Sequence, residues 1–565
     1  MGIRFADILL FAFIIVQTEL AYSNEHRDRL SVEAFFSPEK LGSGPIDNRY
    51  FLPIGKFEQA KHPISGAMVI PETQGWKFGT FPAVTIEFLA SGDALIPAVQ
   101  DIVISATSRT RWSLIFSPGR VWSETGDKGY SRASFPFVLA GKTRSASHNG
   151  IATFLFNDTT VSALIFQIVQ ESHPYDKFNT WGRIPVSFNR KPIANSNGLV
   201  LSHKRELEER LPLLPLSDLE SQFGDKGARA TKEWPVDAMD PTASGLVVDG
   251  KIFASECKSR FGPFPYCAQM RHGVYSVSKT LGALLAMLRL SQKYGDEVFD
   301  LKIKDYVTVT AKHDGWSDVT FGDALNMATG IGDAPVEFKT VFENIPPYSL
   351  FSGQLTSAQK LATAFTSANY PWGPGEKFRY RDMDTFMLAA AMGNFLRSQE
   401  GETANLWDMV IEEVLRPIGL MHAPMIHTIE PDGSRGVPIL NEGYFPTIHE
   451  IIKISLLFQN DGKHQGKQLL SSKKLDEAFY RTSVRGNPFP TGLSRFAGFT
   501  YHMGLWHVPI DLGECKISVS RMSGWGGNAI LLMPSGIIAF TIRNKGIGVD
   551  DKLAAVAHII DSQCD

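Results

Sequence analysis

Ser276 and Lys279 stand three positions apart within the segment Tyr275–Gly282. On a helix that spacing puts a hydroxyl and an amine one turn apart on the same face. A serine hydroxyl is a poor nucleophile until a base takes its proton, and a lysine amine can be that base where burial or a nearby cation lowers its pKa. The pair therefore predicts acyl transfer through a serine ester. The tetrapeptide Ser-x-x-Lys also begins at Ser37, Ser255, Ser357 and Ser471, so context must choose among them. Ser37 has a proline inside the motif, Ser255 runs into a cysteine-bearing turn, and Ser471 sits in a lysine-rich polar stretch. Ser357 could open a helix, but its flank has no matching partners. At Ser276 a helix start is followed by an apolar stripe of Leu281, Leu284, Leu285 and Leu288, with Gly295 placed to end it.

The elements that must position this pair begin well upstream. In 565 residues, apolar types make up 43% and charged types 20%, which predicts a globular chain of two domains and a connector. A net charge of −3 provides no basic field for nucleic acid, which is excluded as a partner. The apolar run Ile8–Val16, followed by Ala21 and Ser23 at the −3 and −1 positions of a cleavage site, reads as an export signal over residues 1–23. It predicts a secreted or periplasmic protein. Residues 24–203 show short β-rich runs separated by Gly, Pro, Ser and Asn, the pattern of an all-β sandwich or barrel. The position of this part suggests contact with cell-wall or polysaccharide material. Residues 204–241 are charged and proline-punctuated and read as a helical linker. From residue 242 to 565 the pattern becomes α/β: a strand at Gly245–Ala254, helices at 276–294, 382–396 and 406–415, strands within 529–542, and a closing helix at 550–560. Of the disulfide pairings that Cys257, Cys267, Cys515 and Cys564 allow, the local pair 257–267 with the distant pair 515–564 is preferred.

Several blocks downstream of Ser276 resemble, in order, the serine β-lactamase and penicillin-binding-protein family, in particular class C enzymes and their esterase and D-aminopeptidase relatives. The blocks are Tyr275–Gly282, Val319–Ile331, Pro374–Tyr380, Val414–Leu420, and the pair Asn460–Lys463 and Gly466–Ser471. The resemblance covers roughly residues 240–565 and implies an antiparallel sheet flanked by helices, with an all-helical lobe. It implies an ester, an amide or a small peptide as substrate, and no cofactor or metal. The family's Tyr-x-Asn motif falls on Tyr380-Arg381-Asp382, which implies that Tyr380 relays a proton. Asp382 departs from the usual asparagine. An anion there would hold Lys279 protonated and weaken it as a base, unless Arg381 or another cation compensates. The third motif falls on Met522, Ser523 and Gly524, implying that Ser523 and Gly524 join Asp382 in binding substrate. The backbone N–H groups of Ser276 and Trp525 would form the oxyanion hole. Met522 cannot supply the cation that often meets a substrate carboxylate, and Arg521 should point to the opposite face of its strand. Because of these two departures, a catalytically silent binding module is the alternative reading.

Overall fold

The computed structural model describes residues 68–69 and most of 82–561, with the longer internal gaps at 105–110, 123–129, 236–241, 334–354 and 490–495. The predicted export signal and residues 24–67 lie outside the described residues, as does Cys564.

Residues 68–184 contribute nine antiparallel strands to one sheet. Its centre is β1 (Ser131–Gly141), β2 (Ser147–Phe156) and β3 (Leu164–Ser172), paired antiparallel in that order. Alternate residues of these strands, among them Phe135, Phe137, Phe154 and Phe166, fill one apolar cluster, as the two-residue period of a strand requires. The opposite edge is polar yet buried: Ser145, Ser147, His148, Asn149, Ser172 and His173 are all 1% exposed or less. Buried polar groups require partners, and these have theirs in the second half of the chain.

The second sheet also has nine strands. It includes β4 (Leu213–Pro215), β5 (Ala243–Val248) and β6 (Lys251–Ala254), then β7 (Leu505–Asp511), β8 (Lys516–Gly524), β9 (Asn528–Leu532) and β10 (Ile538–Ile542). The order β4, β6, β5, β10, β9, β8, β7 runs through its centre, antiparallel except for the β4–β6 pair. The single strand expected at Gly245–Ala254 is a hairpin, because Asp249 and Gly250 both take positive φ, as a tight two-residue turn demands. Part of the stretch expected to be a linker belongs to this half. β4 joins the sheet, and Leu219, Ala230 and Trp234 are buried with the closing helix Asp550–Ile560. Their apolar positions are too few and too widely spaced to show a period, yet each finds a wall to cover.

Helices cover the other face. A π-helical segment, Lys279–Leu284, leads into α1 (Leu285–Tyr294), which ends at Gly295 with φ of 102°. All four leucines of the predicted stripe are fully buried. α2 (Asp382–Glu400) and α3 (Ile448–Gln459) pack into the same core. Cys257 and Cys267 form the expected disulfide, with Cα atoms 5.3 Å apart. Cys515 is disulfide-bonded as well.

Candidate active site

The turn that opens the helix after Ser276 brings the predicted pair together. Lys279 Nζ donates to Ser276 Oγ at 3.0 Å, to Asp382 Oδ1 at 2.5 Å and to the carbonyl of Asn441 at 3.1 Å. Lys279 is buried while Ser276 is partly open, so the hydroxyl faces the solvent side and the amine lies behind it. Tyr380 precedes α2, with its loop tied down by the Arg379 N–H donating to the Met327 carbonyl at 2.9 Å. The Tyr380 hydroxyl hydrogen bonds with both Lys279 and Ser276, and its ring stacks on Trp506 at 6.0 Å. Serine, lysine and tyrosine, drawn from two distant segments, therefore meet at one point.

The electrostatics answer the question that Asp382 raises. Burial pulls the Lys279 pKa down, but Asp382 and then Tyr380 outweigh it and hold the amine well above its ordinary value. Arg381 does not compensate. Its guanidinium turns away to the Ile331 carbonyl, Ser367 and Met383. The amine that the sequence reading makes a base therefore sits in surroundings that favour its protonated form. Asp382 is taken up by the same ion pair, at 7% exposure. Burial raises the pKa of Tyr380, the charge of Lys279 opposes the rise, and Asp382 adds to it.

At the end of β8, Gly524 abuts the turn before Ser276 so closely that a Cβ there would overlap the Val274 carbonyl. Ser523 is half-buried beside it. Met522 faces the apolar core and is fully buried, whereas Arg521 lies on the other face, ion-paired to Asp550 at 2.8 Å. Trp525 is 53% exposed at the turn between β8 and β9. Sequence reasoning misses Asn528. Its amide donates to the Trp525 carbonyl at 2.9 Å and to the Gly273 carbonyl at 3.4 Å, bridging that turn and the segment before Ser276. It misses Asn441 and Glu442 too, although two adjacent polar residues inside the apolar run Pro438–Phe445 are a signal for them. Neither side chain has a hydrogen-bond partner among the described residues, and burial pushes Glu442 up to about 8, with Asp382 adding to the rise and Lys279 opposing it.

The competing tetrapeptides do not assemble. Ser357 bonds Glu430, Ser471 bonds Asp296, and Ser255 bonds Ser244. Ser37 lies outside the described residues.

The family model described as Beta-lactamase matches residues 241–544. This chain belongs to the β-lactamase family. Among solved structures it is similar to a putative 6-aminohexanoate-dimer hydrolase from Bacillus anthracis, at 16% identity and a TM-score of 0.40 over 57% of this chain and 79% of that one. It is also similar to EstCE1, a hydrolase with promiscuous acyltransferase activity, at 15% identity and a TM-score of 0.43 over 64% and 99%. A penicillin-binding protein homolog from Caulobacter crescentus aligns at 15% identity and a TM-score of 0.40 over 66% and 98%. No curated protein matches the chain.

Proposed function

We propose that this protein is a secreted serine hydrolase that cleaves an ester, amide or small peptide bond through an acyl-enzyme on Ser276. The observation that carries the reading is the three-way contact of Ser276, Lys279 and Tyr380. As the Ser276 oxygen attacks the carbonyl carbon, its proton passes to the Tyr380 oxygen, and Tyr380 gives up a proton to the departing alkoxide or amine. Lys279 remains an ammonium and lowers the cost of negative charge on both oxygens. Water then repeats the sequence and releases the acid. The N–H groups of Ser276 and Trp525 hold the oxyanion, a contribution of about 3 kcal/mol per donor. The close approach of Gly524 and the Asn528 bridge support that pairing. With Arg521 committed to Asp550 and Met522 in the core, the Arg521–Gly524 end of the strand offers no free cation to a substrate carboxylate. Uncharged acyl groups are therefore favoured over carboxylated β-lactams.

Export is supported by the Ile8–Val16 run and by a disulfide, which persists in oxidising compartments. The test is an intact-mass measurement on the exported chain treated with a fluorophosphonate. One adduct is expected at Ser276, none in Ser276→Ala, and a mature chain beginning at Asn24. A broad panel of acylating probes that leaves Ser276 unmodified would favour the silent binding module.

A further inference from the structure

Tyr275, immediately before the nucleophile, has φ of +52°. A bulky residue stays in that left-handed region only when its surroundings hold it there. What holds it comes from the N-terminal sheet. The Tyr275 hydroxyl and His173 Nδ1 share a hydrogen bond, and the two rings stack 12° from parallel with centroids 6.1 Å apart. Both residues are buried. His148 stands 6.2 Å behind His173, and Trp112 4.8 Å behind His148, so the clamp is backed by a row of rings.

The same edge grips the residues leading into the nucleophile. Asn149 Nδ2 donates to the Arg271 carbonyl at 2.9 Å, and the Arg271 N–H donates to Asn149 Oδ1 at 3.2 Å. His272 Nδ1 bonds Ser172 Oγ at 3.2 Å, and the Gly273 N–H donates to Ser147 Oγ at 2.8 Å. Gly273 has no room for a Cβ because the Ser145 carbonyl occupies that place. Ser145 also donates to the Glu442 carbonyl, next to the Asn441 carbonyl that receives Lys279. On the other side Pro174 lies against Gly526, where a Cβ would come within 3.6 Å of its ring. One short edge thus touches the nucleophile turn, the lysine's backing segment and the turn that carries Trp525.

We propose that this edge of the N-terminal sheet is the positioning half of the active site, with His173 the positioning residue that holds Tyr275, and through it Ser276, in place. Its kinetic readout rests on the hydrolase reading; its structural readout does not. The test uses the full chain with His173→Ala, His173→Gln, Tyr275→Gly and the double variant H173A/Y275G. It measures the rate of fluorophosphonate labelling at Ser276 and hydrogen exchange of the amides of residues 272–278. H173A should slow labelling at saturating probe by about tenfold or more, because small misplacements of a nucleophile are costly. It should also speed exchange of that segment while leaving distant segments unchanged. H173Q, whose amide can still meet the hydroxyl, should recover most of both. In the Y275G background, where glycine takes the left-handed conformation unaided, H173A should add little.

Equal losses from H173A in both backgrounds, or unchanged labelling and exchange, would overturn the proposal. If H173A does not fold, Tyr275→Phe removes the same hydrogen bond from the other side, and unchanged labelling and exchange in it would overturn the proposal equally. A parent chain that takes no label sinks the hydrolase reading, and the exchange data alone then decide this one.

Discussion

Lys279 and Lys360 are both buried in the hydrolase half of this chain, and the fold treats them in opposite ways. Lys279 meets the Asp382 carboxylate at 2.5 Å, and its pKa rises despite burial. Lys360, on the helix Ser357–Ala364, lies near the Phe386 ring at 5.8 Å, and burial lowers it to about 8. Glu442 lies close enough to both lysines to feel their charge. Burial disfavours any charge, and a carboxylate in contact reverses the sign. Each lysine ends a Ser-x-x-Lys tetrapeptide, and the one with the more base-like amine has its serine bonded elsewhere, to Glu430. A depressed lysine pKa is therefore not what marks this site. Contact with Ser276 and Tyr380 is.

The largest effect expected from breaking this contrast is at Lys279 itself. Lys279→Met leaves Asp382 buried without its cation, which should cost roughly 3–5 kcal/mol in denaturant unfolding. Labelling of Ser276 should also fall by about a hundredfold or more. A variant that unfolds like the parent would show that the ion pair contributes nothing. Asp382→Asn is next and should separate stability from reactivity. Removing the anion makes both Lys279 and Tyr380 easier to deprotonate, so labelling at neutral pH should rise about tenfold and its acid limb should move to lower pH. A rate that falls or stays constant would argue against the relay through Tyr380.

An effect confined to alkaline pH, and absent near pH 5, is expected at Glu442. Its folded pKa, near 8, lies above the ordinary 4.5, so its contribution to stability is complete below about 4.5 and is lost as pH rises through 8. Glu442→Gln should therefore match the parent near pH 5 and exceed it by a few kcal/mol near pH 9. Parallel pH–stability curves would place Glu442 outside the buried charge cluster.

How much of this is legible in the sequence differs from one element to the next. The nucleophile helix, its leucine stripe and its Gly295 stop can be read because period and termination are local properties. So can the closing helix Asp550–Ile560. The hairpin at Ala243–Ala254 passes for a single strand because its apolar runs are nearly continuous, although Asp249-Gly250 is a turn signal. The strand and helices within 213–234 pass for a linker because their apolar positions show no period. Asp382 is recognisable as an anion next to the lysine, but whether Arg381 neutralises it depends on where that side chain points. The clamp by His173 has no signal at all, since a histidine 102 positions from its partner leaves no pattern.

Residue types and their spacing determined the chemistry available here: a hydroxyl and an amine one helical turn apart, with a phenol to join them from a remote loop. Tertiary structure alone decided which charges and how much solvent surround the amine, and its pKa follows from those. It also decided that a sheet from the first half of the chain would hold the nucleophile's turn. Such contacts cross long stretches of sequence, and they exist only once both halves have packed.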